Sequence, residues 1–277
     1  MTTGNRIRLF LLREVEHSLR TRWFLTNAAV FMAGGVLLVV AGSSGTLLAG
    51  HRGYARALAG LAHFAILFVP IMALLPASAS LAEERENGTL EYLLAQPVTW
   101  GQVFIGKWLG VSVAVVLALS LGYLASASVS VFRGVPSSLV LAIYAFLVLL
   151  SLVFVSLGTV FSALSDTRSR ATAFGIGCWL VLVVLGSLGV LAAFIRWGAP
   201  AELLAAWSFF NPVEAFRIGV MTVLDPDLQL LGPVGTGLVR RHGPTAIALG
   251  SAFSLCLWIL LPILGGRWAV SRRRDGV

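Results

Sequence analysis

Charge is scarce in this chain. Asp, Glu, Lys and Arg make up 12% of its 277 residues against 58% hydrophobic, and the mean hydropathy is +0.91. A soluble domain carries about twice that charged fraction, so an ordinary water-soluble enzyme or binding module is excluded and lipid must be the solvent for most of the surface. Cysteine is scarce too. Cys178 and Cys256 each lie inside an apolar run, which supports neither a disulfide framework nor a Cys-rich metal site. No Asp falls within an apolar run long enough to span a bilayer, which leaves intramembrane aspartyl chemistry without its acid. Met32, Met72 and Met221 are scattered, as are His17, His51, His63 and His242, whereas a copper site would gather thioethers and imidazoles, so no metal ligand is expected. The net charge of +8 is not arranged as a nucleic-acid-binding stripe, because the basic residues stand at the edges of apolar runs. That placement fits a membrane surface.

What is present is a series of long apolar runs. About 20 apolar residues cross about 30 Å of hydrocarbon, and the windows 24–42, 61–82, 103–131, 138–164, 171–195 and 244–265 qualify. A charged stretch from Arg6 to Arg22 precedes the first of them, which favours a retained signal anchor over a cleaved leader. Six spans place both termini on one side. That side would hold Arg6, Arg8, Arg13, Arg20, Arg22, Arg85, Lys107, Arg168, Arg170, Arg267, Arg272, Arg273 and Arg274, the larger share of the basic residues. The other holds Arg52, Arg56, Arg133, Arg196, Arg217, Arg240 and Arg241, so cytoplasmic termini in the inner membrane are expected.

The expected fold class is an all-α membrane protein, with residues 1–277 as a single transmembrane domain. Before the first span, Ile7, Leu11, Val15 and Leu19 recur every four residues, which gives residues 1–23 the apolar stripe of an interfacial helix. The third span has small residues at Gly106, Gly110, Ala114, Ala118, Gly122, Ser126 and Ser130. Small residues let helices approach closely in lipid. A four-residue step overshoots a turn by about 40°, so this row winds and cannot face one partner throughout. Pro70 and Pro76 can bend the second span. Between the fifth and sixth spans, residues 196–243 are too long for a connector and too apolar for a solvated linker. Asn211-Pro212 signals a helix start before Val213–Leu224, so an outer helical insertion is expected, its short helices half-buried. It carries the aromatics Trp207, Phe209, Phe210 and Phe216, and Glu214 and Arg217, three apart, can pair.

One connection is strongly charged, from Glu83 through Glu84, Arg85 and Glu86 to Pro97 and Val98. Thr89 can cap a short helix there, Pro97 can end it, and Leu90, Leu93 and Leu94 would share a face apart from Glu91. A short amphipathic helix of this kind suits a groove on a partner protein. The residues Glu84, Glu86, Gly88, Thr89, Leu90, Glu91, Leu93, Leu94 and Pro97 match the pattern between the second and third spans of ABC-2 type transporter permeases, which this chain resembles. The resemblance implies a type V exporter-like fold with an N-terminal elbow helix, and a coupling helix over residues 87–97 that docks on a separate ABC ATPase. It also implies two permeases and two ATPases per transporter, and second and fifth spans that border the path. No cofactor would be bound by this chain, since ATP and magnesium would belong to the ATPase. Within the family, the stretch from Asn211 and Pro212 through Glu214 to Arg217, with Gly232 and Pro233 downstream, is similar to permeases that serve nitrous-oxide-reductase maturation. That similarity implies a sulfur species or copper-related cargo and a periplasmic accessory protein, and an outer gate or partner dock at Phe210, Asn211, Pro212, Glu214 and Arg217.

Rival readings rest on weaker motifs. Gly101 to Trp108 nearly spells a phosphate-binding loop, but Trp108 stands where Ser or Thr is needed and Pro97 interrupts the strand it requires, leaving Lys107 and Trp108 as interfacial anchors. Gly42-Ser43-Ser44-Gly45 with His63 has the composition of an intramembrane serine protease motif. The Ser residues, however, close a span instead of opening one, and no catalytic residue is assigned. A generic exporter of another small molecule or lipid, or a non-transporting membrane anchor, are the remaining alternatives.

Overall fold

A computed structural model describes residues 3–44, 51–90, 98–189, 207, 209–226, 228 and 232–272. Among these there are helices and no strands. In chain order they are α1 (Thr3–Arg20), α2 (Arg22–Ser44), α3 (His51–Glu86), α4 (Trp100–Phe132), α5 (Ser137–Leu164), α6 (Arg168–Trp179, continued by a π-helical segment Leu180–Leu185), α7 (Pro212–Leu224), α8 (Gly232–His242) and α9 (Pro244–Arg272). Six are long and apolar enough to cross a membrane: Arg22–Gly42, Ala57–Glu86, Trp100–Phe132, Ser137–Leu164, Arg168–Gly189 and Pro244–Trp268. The apolar windows of the sequence thus fall on six spanning helices. Residues 190–195, expected to finish the fifth span, lie outside the described residues.

The helices α3, α4 and α5 form the centre of the bundle, while α2, α6 and α9 leave most of their surface uncovered. Small residues decide where the central helices touch. A methyl group at Gly158 of α5 would stand 2.7 Å from Ala77 Cβ and 2.9 Å from the Leu74 carbonyl of α3. Phe154, Leu147 and Leu150 of α5 are completely buried beside this contact, with Met72 and Leu74 of α3. The row of small residues on α4 is buried along its whole length. It winds as its spacing requires: Gly110 abuts Leu11 and Glu14 of α1, and Gly122 abuts Ala28 and Phe31 of α2.

The Gly101–Trp108 stretch, rejected above as a phosphate-binding loop, is continuous helix inside α4. One expectation is corrected here. The Pro212–Leu224 helix is not half-buried at a surface, because nearly every residue from Pro212 to Thr222 is buried. It inserts between α5 and α9 well inside their ends, with Gly219 against the ring of Phe146 and the Phe209 carbonyl accepting from Ser254 Oγ at 2.6 Å. Phe216 has no exposure at all, whereas Trp207 and Phe210 are exposed.

Candidate functional site

The charged run at the end of α3 is where the bundle converges. Gly88 ends the helix at φ +69°, the left-handed conformation that glycine adopts without strain, with its N–H donating to the Arg85 carbonyl at 3.1 Å. Upstream, the four charged residues reach three other helices, Glu83 and Glu86 both meeting Arg168. Glu83 accepts from Arg168 Nη1 at 3.1 Å. Arg85 donates to the backbone carbonyls of Ser165 and Ala163, which are among the last of α5 and the turn after it. Glu86 accepts from the backbone N–H of Arg168 at 2.8 Å, so its carboxylate sits at the electropositive start of α6. Leu81 and Ala82 direct their N–H groups to Ser162 Oγ, each at 2.9 Å, which pins the last turns of α3 to α5.

Glu84 makes the contact least legible in the sequence. Its Oε1 lies 2.9 Å from Lys107 Nζ of α4, and the same ammonium lies 2.7 Å from Glu14 Oε2 of α1 and 3.2 Å from the Ser80 carbonyl. Lys107 is 6% exposed and Glu14 8%. One cation therefore ties three helices together through two carboxyl groups, and Glu84 Oε2 is buried with no partner. The ion-paired group forms part of the wall of an amphipathic cavity of about 560 Å³, which Arg13, Ser18, Trp23, Pro76, Thr89 and Arg168 also line.

This arrangement corrects several sequence expectations. Lys107 is not an interfacial anchor, and its neighbour Trp108 donates to Ser156 Oγ at 3.0 Å inside the protein. Glu84 and Glu86 are engaged by this chain's own helices. The Thr89 hydroxyl donates back to the Glu84 carbonyl at 3.1 Å, and the N–H groups it was expected to cap lie outside the described residues. Leu90 is buried in the chain's own core, so it is not part of an exposed docking face. Glu91, Leu93, Leu94 and Pro97 lie outside the described residues. On α1, Glu14 is buried while Leu19 of the apolar stripe is exposed, so the helix meets α4 through its acid. The missed signal was Lys107 itself: a lone lysine within an apolar run needs a buried counter-charge, and few carboxylates are available.

At the opposite end of the bundle, the second candidate cluster is also buried. Asn211 caps α7 by accepting from the Val213 N–H at 2.9 Å, and Pro212 takes the first helical position. Glu214 and Arg217 pair at 3.1 Å, with Ser187 of the fifth span donating to Glu214 at 2.9 Å and accepting from Arg217 at 3.1 Å. Of the five residues expected to form an outer gate or dock, only Phe210 stands clear on the surface; Asn211, Pro212 and Glu214 are buried and Arg217 is partly so.

A bundle of six apolar helices long enough to span a bilayer, tied by ion pairs near the end of the second, defines a multi-pass membrane protein. The chain belongs to the ABC-2 family: the model of the ABC-2 family transporter protein matches residues 10–273. Among curated relatives it is 29% identical over 274 residues to the probable ABC transporter permease protein NosY of Stutzerimonas stutzeri, covering 95% of this chain and 96% of that one. NosY of Pseudomonas aeruginosa is 28% identical over 215 residues, which is 74% of this chain and 78% of that one. The probable multidrug ABC transporter permease YbhR of Escherichia coli K12 is 28% identical over 144 residues, half of this chain and 36% of that protein. The chain is thus an ABC-2 permease of an ABC transporter.

Proposed function

We propose that this permease works in the inner membrane as a pair, with two copies of a separate ATPase that bind and hydrolyse ATP with magnesium and dock at residues 87–97. The carrying observation is the knot just upstream of that segment, where Glu84 holds Lys107 of α4, Arg85 the end of α5, and Glu83 and Glu86 both hold Arg168 of α6. A push on residues 87–97 would be delivered to several spans at once, because buried, hydrogen-bonded ion pairs resist local yielding. α1 serves as the elbow helix and is drawn into the same movement through Glu14. Both termini face the cytoplasm in this reading.

For cargo, we infer a sulfur species or copper-related group delivered for nitrous-oxide-reductase maturation, with a periplasmic accessory protein meeting the exposed Trp207 and Phe210. The similarity to two NosY permeases, one of them matched over nearly its full length, supports it. Export of another small molecule is the second reading, favoured by the half-length similarity to YbhR. The test is co-expression with candidate ABC ATPases of the same organism. Leu93→Asp and Leu94→Asp should abolish co-purification of the ATPase while the permease is recovered at wild-type yield; recovery of the ATPase with both variants would remove residues 87–97 as the dock. Loss of an active copper centre in nitrous oxide reductase on deleting the permease, restored by the wild-type chain, separates the two cargo readings.

A further inference from the structure

The fifth span is not one continuous α-helix. From Leu180 to Leu185 it is wound as a π-helix, closed by the Gly186 N–H donating to the Val181 carbonyl. Such a turn is uncommon and is found mostly as a single insertion in α-helices, often where function requires it. The sequence Leu180-Val181-Leu182-Val183-Val184-Leu185 contains no proline or glycine to impose it. The cause is therefore tertiary. Where a wide turn returns to α geometry, a backbone carbonyl is left without its intrahelical partner and must find another. The Leu182 carbonyl accepts from Asn211 Nδ2 at 2.9 Å, while Oδ1 of the same side chain caps α7. One amide thus serves both helices.

The next two residues of the span complete the grip. Gly186 makes room for the amide, since a Cβ there would stand 2.2 Å from Asn211 Nδ2. Ser187 then joins the Glu214–Arg217 pair. Arg217 Nε is buried without a partner, so the cluster is not fully satisfied where it sits. An under-satisfied buried ion pair beside a wide helical turn is costly to keep as inert packing.

We propose that Asn211, with Glu214, Arg217 and Ser187, is a clasp of positioning residues by which α7 sets the helical register of the fifth span, and that the transport cycle opens it by converting the π turn to α. A change of one residue in register turns one side of the span by about 100° relative to the other and moves it about 1.5 Å along its axis. The existence of the clasp rests on geometry alone; its opening during the cycle rests on the permease reading above.

The experiment uses the full permease with its ATPase in lipid nanodiscs and follows the labelling rate of single thiols on either side of the turn. These are native Cys178 in a Cys256→Ser background, and a thiol introduced by Leu188→Cys with both native cysteines replaced. The ratio of the two rates reports relative rotation, which general loosening of the span does not produce. Asn211→Asp keeps the oxygen that caps Val213 and removes the amide that holds Leu182. The variant should melt within a few degrees of wild type, yet its ratio without nucleotide should shift about fivefold or more as the local turn opens. Wild type trapped with ATP and vanadate should move toward the ratio of the variant, which should no longer respond. Ser187→Ala, which leaves the cap untouched, should shift the ratio in the same direction and serves if Asn211→Asp does not fold. A wild-type ratio in both variants without nucleotide overturns the clasp, whatever the ATPase does. A wild-type ratio that stays fixed on vanadate trapping, while ATP is being hydrolysed normally beforehand, overturns the claim that the cycle opens it. Absence of any ATPase binding or turnover would instead count against the transporter reading.

Discussion

The two ends of this bundle hold buried charge in different ways. At the end that carries residues 83–107, Lys107 collects carboxyl groups from α1 and α3, residues far apart in the chain, and Arg168 and Arg85 add bonds to α6 and α5. At the opposite end, Glu214 and Arg217 are neighbours on one helix, and the single hydroxyl of Ser187 joins them to the fifth span. The first arrangement ties several helices to one another at a single place. The second reaches one turn of one helix and can determine how that turn is wound. In the ATPase-driven cycle proposed above, the first would be the stiff place that receives force and the second the yielding place where force changes shape.

The strongest way to break this comparison is to remove the shared cation. Lys107→Met would leave Glu14 and Glu84 buried without their counter-charge, and breaking such a pair costs about 3–5 kcal/mol. Thermal unfolding of the purified permease should fall sharply. Adding Glu14→Gln and Glu84→Gln to Lys107→Met should recover much of that loss, because the uncompensated charge is gone, but should not recover permease-stimulated ATPase activity. If activity returns with stability, the knot is architecture only.

An intermediate effect is expected from steric wedges. Gly110→Ala would press a methyl group to within 2.4 Å of Glu14 Cβ, and overpacking of that kind costs about 1–3 kcal/mol. Because it displaces α1 from α4, it should weaken ATPase stimulation as well as stability. Gly186→Ala wedges the opposite end, and there ATP hydrolysis should continue while the transport proposed above, read as maturation of nitrous oxide reductase, is lost. Equal effects of the two wedges on hydrolysis would erase the functional distinction between the ends.

The smallest effect belongs to the surface. Glu83 and Arg168 are roughly half exposed, with side-chain exposures of 43% and 58%, so Glu83→Gln should change stability by only about 0.2–1 kcal/mol, and less in high salt. A loss of ATPase stimulation out of proportion to that figure, surviving in high salt, would mean that the exposed half of the network also carries force.

Six spanning helices were legible because the requirement of lipid for long uninterrupted apolar helices is local and is written residue by residue. The start of α7 was legible for the same reason, since Asn211-Pro212 caps a helix through atoms two residues away. The pairing of Glu214 with Arg217 follows from a three-residue spacing on any helix. What sequence spacing could not supply was which carboxylates Lys107 would find, because Glu14 lies 93 residues away and the meeting depends on how closely Gly110 lets α1 approach. The burial of Leu90 and of α7, and the π turn at Leu180–Leu185, were likewise decided by tertiary structure. Nothing in that apolar run distinguishes π from α. What accompanies the π turn is an asparagine from another element, whose amide donates to the Leu182 carbonyl at 2.9 Å.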